Sequence, residues 1–347
     1  MHISVIKNYK CETITKNDAR IMKRKLIKQG QGTLTVTVPS SWVEKYHLKP
    51  GTDIDIIEQA NTLIISPTEL EERKKISISL DNLSSAIIWR MVSSAYRAGY
   101  HEIKVSFIPK KHKEFYNAFT YNTVFTPSSQ DGNELSQIEV MQSLVNRFIG
   151  MEIIDQGADY CVIREMGSLT SKEVESTIRR IFLLLQSMTE AVLEGAKGNK
   201  EGLKSVHLID TNLDRFEDYC IRVLNRIGYT DYNKTKTAYA IVFLLELVGD
   251  EYKRLAEELW SSKKVHALLL DYIILQNKKT ALFYELYYKY SVSTIESIYK
   301  KDAQEQELFS KLVSHVSEKE IEILHRLKKI GRYIMSLTEL RIDMEYA

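Results

Sequence analysis

Two pairs of carboxylates, each pair spaced one helical turn apart, are the residues of this 347-residue chain best placed to do chemistry. Glu246 and Asp250 stand at i and i+4 in the apolar run Val242-Phe-Leu-Leu-Glu-Leu-Val-Gly-Asp-Glu-Tyr-Lys-Arg-Leu-Ala256. Asp210 and Asp214 have the same spacing in Leu208-Ile-Asp-Thr-Asn-Leu-Asp-Arg-Phe-Glu217. Residues at i and i+4 share a helix face, and like charges there repel, so two such pairs on neighbouring helices call for a cation or a positively charged partner between them. Four carboxylates suit a hard divalent cation, or iron where an oxo-bridged cluster assembles. His207, one turn before Asp210, could add an imidazole ligand, although a lone histidine at such a position reads first as a surface residue. The plainer reading of the acids is a solvated face salt-bridged to Arg215, Lys253 and Arg254.

Other chemistries lack their residues. The chain has no G-x-x-x-x-G-K-[ST] loop, G-x-G-x-x-G turn, H-E-x-x-H helix or nucleophile elbow, and Gly30-Gln-Gly32 is too short to cradle a phosphate. The run Phe283-Tyr-Glu-Leu-Tyr-Tyr-Lys-Tyr290 reads as helix packing. With no catalytic constellation, the expectation is a protein that is not an enzyme. A carboxylate-bridged metal enzyme is a distant third reading, because the Glu-x-x-His element of such bundles is missing. Cys11, Cys161 and Cys220 are scattered, as reduced thiols of a cytoplasmic protein would be. No apolar run approaches the roughly 20 residues that span a bilayer, and no signal pattern opens the chain. A cytosolic protein without membrane insertion is expected. The net charge of +2 says nothing of nucleic acid by itself.

The elements that must position these residues fall into three regimes. Residues 1–21 show no periodicity and read as an extension, with Met22 a possible functional start. Residues 22–68 are β-like: Lys25–Gln29, the strictly alternating Thr33–Val38, Asp53–Ile57 and Thr62–Ser66, separated by Gly30-Gln-Gly32, Lys49-Pro-Gly51 and Ala60-Asn61. Pro39–Tyr46 reads as a short helix capped by Ser40 or Ser41. Residues 74–166 read as a small α/β unit: strand 76–80, helix 82–98 ended by Gly99, strand 102–107, a polar loop over 127–132 expected to be mobile, a helix over 135–148, and strands 152–155 and 160–164. From 171 to 345 strand signals vanish. Six helices are expected, at about 172–197, 200–227, 235–260, 263–290, 291–314 and 318–345, and their short loops imply antiparallel packing. Leu245-Glu-Leu-Val-Gly-Asp-Glu-Tyr252 is echoed by Leu327-Lys-Lys-Ile-Gly-Arg-Tyr333, so two three-helix units in tandem, about 171–260 and 263–345, are the simplest account.

Arg20, Lys23, Arg24, Lys25 and Lys28 cluster at the first strand with almost no acid nearby, the footprint of a surface that neutralises phosphates. The alternative is a basic edge that discourages strand aggregation. The succession Arg24-Lys-Leu-Ile-Lys-Gln-Gly, Thr-Val-Thr-Val-Pro-Ser-Ser-Trp-Val-Glu-Lys and Leu48-Lys-Pro-Gly-Thr-Asp-Ile resembles the AbrB/MazE/SpoVT DNA-binding family over 22–68. That resemblance implies a swapped-hairpin β-barrel built from two chains, hence at least a homodimer, with Lys23, Arg24, Lys25 and Lys28 toward DNA. Four short strands in about 45 residues also bury too little surface to stand alone.

The helical part, 171–345, resembles the PhoU family of phosphate-signalling regulators, most specifically in Leu244-Leu-Glu-Leu-Val-Gly-Asp250. The resemblance implies tandem three-helix bundles with an acidic E/D-x-x-x-D motif on adjacent helices, matched here by Asp210, Asp214, Glu246 and Asp250 as metal ligands. In the second unit Lys328 and Arg332 stand in the places of the acids, and the companion helix offers only Asp302 with Gln306, so a second cluster is not expected; the two cations would hold an anion or a partner's acids. An AbrB-like module ahead of a PhoU-like one resembles the order in archaeal regulators. Together these imply a phosphate-responsive, DNA-binding regulator of phosphate uptake with the α/β unit between sensor and reader. The alternative is an adaptor that does not bind DNA and acts by contact with a phosphate transporter or a signalling kinase.

Overall fold

In the computed structural model the described residues are 23–30, 32–59, 62–67, 73–109, 111–112, 135–167, 169–170, 172–262 and 265–347. The extension 1–21, the loop at 127–132 and Arg20 lie outside them. The chain divides into two compact units, at Glu71 and Glu72.

The first unit holds two separate antiparallel hairpins, β1 (Ile27–Gln29) with β2 (Thr33–Thr35) and β3 (Ile54–Gln59) with β4 (Thr62–Pro67), and between them a short helix α1 (Ser40–Lys45). Gly30 and Gly51 have φ values of 80° and 88°, the left-handed region that glycine enters at no steric cost. Pro39, not Ser40 or Ser41, is the N-cap of α1, and no side chain caps it: with its φ already fixed, proline starts the helix and both serines fall inside. No side chain of this unit whose exposure is described is buried. Leu26, Ile27, Leu34, Val36, Ile54, Ile56 and Leu63 are all exposed.

The second unit opens with β5 (Lys75–Ser79), α2 (Ser85–Arg97) and β6 (Glu102–Ser106), a crossover that pairs β5 and β6 in parallel. After a short pairing of β7 (Lys111–His112) with β8 (Leu135–Ser136) come α3 (Gln137–Val145), β9 (Met151–Gln156) and β10 (Tyr160–Glu165). The sheet order is β5-β6-β10-β9, with β10 antiparallel to both neighbours and irregular between Val162 and Ile163. Alternation does the sorting: Ile103 and Val105 of β6 and Cys161 and Ile163 of β10 face a core with Ile88 and Val92 of α2 and Met141 and Leu144 of α3. Ser136 and Glu139 close a capping box that fixes where α3 begins.

The remainder is helical: α4 (Lys172–Ala196), α5 (Leu203–Arg226), α6 (Thr235–Ser261), α7 (Ala267–Tyr288), α8 (Val292–Leu312) and α9 (Glu318–Glu345). The expected boundaries agree to within about four residues, the margin by which helix ends fray. α4, α5 and α6 each pack on the other two, as do α7, α8 and α9, and α6 against α9 joins the two groups over one continuous core. Gly249 of α6 and Gly331 of α9, equivalent in the sequence echo, play matching parts. A Cβ on Gly249 would collide with Leu213 of α5, and one on Gly331 with the Glu305 carboxylate of α8, so each glycine admits a neighbouring helix at close range. The aromatic run near the end of α7 packs as expected: Phe283 and Tyr287 are buried against Phe182 of α4.

The α/β part is fastened to the C-terminal end of α5. Arg222, fully buried, donates to the carbonyls of Tyr96 (2.7 Å) and Tyr100 (2.9 Å) and to Glu165 Oε1 (2.9 Å). Arg226 Nη1 donates to both oxygens of Glu165, at 2.6 and 2.8 Å, and Asn225 Nδ2 to the Arg97 carbonyl at 2.8 Å. Gly99 follows α2 at φ 85°, and its missing side chain leaves room for the Arg226 stem. Gly99→Ala therefore suffers both backbone strain and a collision; a loss of about 1–3 kcal/mol from the strain alone is expected, read as a lower melting temperature of the second unit.

Candidate carboxylate centre

The buried residues of α5 include Val206, Asp210, Leu213, Glu217, Asp218, Cys220, Ile221 and Leu224, so the helix carries three acids among its buried apolar side chains. Asp214 flanks them. α6 brings Glu246 and Asp250 alongside, with Gly249 letting the two helices approach at Leu213. All four sequence-derived ligands, Asp210, Asp214, Glu246 and Asp250, are within electrostatic reach of one another.

The acids face inward, which corrects the reading of a solvated acidic face. Asp210 is 1% exposed. The cations between them are supplied by the chain. Lys253 of α6, equally buried, donates to Asp210 Oδ2 at 2.7 Å and to Asp250 Oδ1 at 2.5 Å. Arg254 Nη2 lies 3.5 Å from Asp250 Oδ2. Arg215 forms none of these bridges. Asp214 Oδ2 instead takes a 2.7 Å bond from Arg147, in the turn after α3, whose guanidinium rests on the Trp89 ring 4.4 Å from its centroid. One turn further along α5, Asp218 Oδ1 is bridged at 3.1 Å by Arg97 of α2.

These cations do not saturate the cluster. The buried atoms Asp210 Oδ1 and Asp214 Oδ1 accept no hydrogen bond. Burial, reinforced by neighbouring acids, pushes Glu246 up to about 8 and Asp210 up to about 7, and raises Asp214 against the pull of Arg147. Burial likewise lifts Asp218 to about 6 and holds Glu217 well above the carboxylate range. His207 is half-buried, and burial, then Lys253 and Arg147, lowers its proton affinity. Among the described residues no set of three or more His, Cys, Asp or Glu side chains is arranged as a metal site. The leftover donors, Asp210 Oδ1, Asp214 Oδ1 and the Glu246 carboxylate, are all oxygens, the set that a hard cation takes.

The second helical group holds its own buried cation. Lys279 of α7, fully buried, donates to Asp302 at 2.8 Å and to Glu305 at 2.6 Å, and the Tyr272 hydroxyl donates to Glu305 at 2.8 Å. Lys328 donates to Gln306 Oε1 at 2.9 Å, and Arg332 is exposed. Sequence reading passed over Glu305, Arg147 and Arg97. Only Glu305 left a local sign, its i+3 spacing from Asp302.

In the first unit Lys23, Arg24, Lys25 and Lys28 are all exposed, with Lys28 opposite Leu34 in the hairpin. Among the described residues, no helix is long and apolar enough to cross a membrane. Comparison with family models, with curated proteins and with solved structures finds no match to this chain.

Two outcomes follow from the charge balance. Glu246 and Asp210 bind protons more tightly folded than unfolded, so the stability they contribute is present at low pH and lost as pH rises through about 7 and 8. Thermal melts of chelator-treated protein are expected to fall between about pH 6 and about pH 9, with Glu246→Gln making that slope shallower and leaving the part that Asp210 contributes. Lys253→Met strands Asp210 and Asp250; a loss of about 3–5 kcal/mol is expected by denaturant titration at about pH 9, shrinking near pH 6 where the acids take up protons.

Proposed function

We propose that this chain is a phosphate-responsive, DNA-binding regulator, without enzymatic activity, whose helical part is a PhoU-like sensor. The observation that carries the reading is the convergence of Asp210, Asp214, Glu246 and Asp250 from two adjacent helices into one buried cluster that keeps unpartnered oxygens. The mutual packing of α4–α6 and of α7–α9, with Gly249 and Gly331 in equivalent places, supports tandem three-helix bundles. A divalent cation held by the leftover oxygens would neutralise the surplus charge; Asp210, Asp214 and Glu246 are the residues that would hold it.

The reading of the first unit rests on what it lacks. With no buried side chain among those described and seven exposed aliphatic residues, its hairpins gain an interior only against another surface. A second copy, interleaved as in an AbrB-like barrel, supplies one and makes the protein a homodimer. It also doubles the exposed basic set Lys23, Arg24, Lys25 and Lys28, the charge that phosphate contacts demand. A signal alters DNA affinity only by binding two conformations unequally, so the cluster and the hairpins must be linked through a change of state.

Fluorescence anisotropy with a labelled duplex across a salt series tests the DNA reading. Binding at low salt that weakens steeply with added salt is expected, with Lys25→Gln and Lys28→Gln each lowering the logarithmic salt slope by about two, one for each copy in the dimer. Absence of binding at low salt overturns it and leaves the adaptor reading. Sedimentation at rising concentration should give a dimer; a monomer throughout would remove the barrel.

A further inference from the structure

The aromatic run of α7 has a second face. Phe283 and Tyr287 are buried, while Tyr284 is half-buried and Tyr288 is 44% exposed. Tyr284 and Tyr288 stand one turn apart, edge to face, with ring centroids at 5.3 Å. Both rest on Phe182 of α4, at 5.2 and 5.9 Å, which holds them from behind. They form one wall of a cavity of about 700 Å3 between α4, the end of α7 and the start of α8. Arg179 of α4, Lys289 in the turn after α7, and Glu285 also line it. None of these three charges has a salt bridge or a side-chain hydrogen bond among the described residues. Ser293 and Thr294 bring hydroxyls from the first turn of α8. Glu175, whose charge reaches Tyr288, already accepts from the Tyr229 hydroxyl.

We propose that this cavity binds a nucleoside phosphate, with the base against Tyr284 and Tyr288 and the phosphate between Arg179 and Lys289. Three features select that class. The volume falls within the roughly 300–1,000 Å3 that small-molecule sites occupy. A tyrosine wall already fixed by packing offers a flat ligand a stacking surface at little ordering cost. Two uncommitted cations, one of them a guanidinium, match the charge of a phosphate monoester. Glu285 is the discriminating group: it repels a bare phosphate, yet accepts hydrogen bonds from the amino or ribose hydroxyl groups of a nucleotide. An inorganic anion would leave both the wall and that carboxylate unused. The site is separate from the carboxylate centre of α5 and α6 and does not rest on the sensor reading. It joins α4 of the first helical group to α7 and α8 of the second, so a bound nucleotide stabilises their packing.

The test uses the full chain and isothermal titration calorimetry. The probes are adenosine, guanosine, cytidine and uridine 5′-monophosphates, with inorganic phosphate and phenylalanine for comparison. At least one of the four nucleotides is expected to bind, one per chain and more tightly than phosphate. Tyr288→Leu and Arg179→Gln should each weaken that binding about tenfold. Lys289→Gln, at an exposed position, serves if circular dichroism shows either variant to be misfolded. Because the basic hairpin of the first unit also attracts phosphates, Lys25→Gln is the control, and it should leave nucleotide binding unchanged. The proposal is overturned if no nucleotide binds at millimolar concentration, or if inorganic phosphate binds as tightly. It is equally overturned if Tyr288→Leu and Arg179→Gln bind as wild type does while Lys25→Gln binds less. Phenylalanine bound in preference to every nucleotide also overturns it, and assigns the cavity to an amino acid.

Discussion

The second unit is organised by a surplus of buried negative charge. α5 and α6 carry Asp210, Asp214, Glu217, Asp218, Glu246 and Asp250 along one seam. Water would solvate these acids cheaply; the core of a helical group does not. Each must therefore find a proton, a hydrogen bond or a cation, and the chain delivers cations from two directions. Lys253 comes from within the group and sits between Asp210 and Asp250. Arg97 and Arg147 come from the α/β part. The docking of that part is as much a consequence of the acids on α5 as of apolar contact, which makes the interface sensitive to whatever else neutralises them.

The same logic explains why the two helical groups differ despite their shared plan. In the second group one lysine, Lys279, meets two acids of α8, with a tyrosine hydroxyl closing the arrangement around Glu305. Charge there is nearly balanced and the acids have their partners. In the first group, acids outnumber buried cations and oxygens remain unmet. Burial is common to both, so it is the surplus of acids, and not burial, that sets the first group apart.

Much of this was legible beforehand. The six helices could be placed from apolar periodicity because each buries one stripe in a long element with short loops, the situation in which pattern and packing agree. The carboxylate pairs were legible for the same reason: i,i+4 spacing is a local property. What could not be read was which cation answers which acid. Lys253 sits three residues from Asp250 and looks from spacing like a surface partner; only the packing of α5 against α6 puts it inside. Arg147 and Arg97 lie 67 and 121 residues from the acids they bridge, and no periodicity carries information over that distance. The Pro39 cap shows a smaller failure, in which a residue with fixed φ displaced the serines that capping preference favours.

Lys253 and Lys279 have a consequence for how the chain finds its fold. Tandem helical groups of similar plan invite exchange errors, in which a helix docks in the place of its counterpart and buries nearly the same apolar area. Here an exchange is not neutral. By the equivalence of Gly249 and Gly331, Glu305 corresponds to Leu213, so α8 in the place of α5 would push a carboxylate into the apolar contact at Gly249, and α5 in the place of α8 would set Leu213 where Glu305 meets Lys279. A buried charge moved away from its partner is among the most costly errors a core can hold. The two buried ammonium groups act as unlike keys, and they distinguish the correct pairing of six similar helices from arrangements that hydrophobic burial alone would accept.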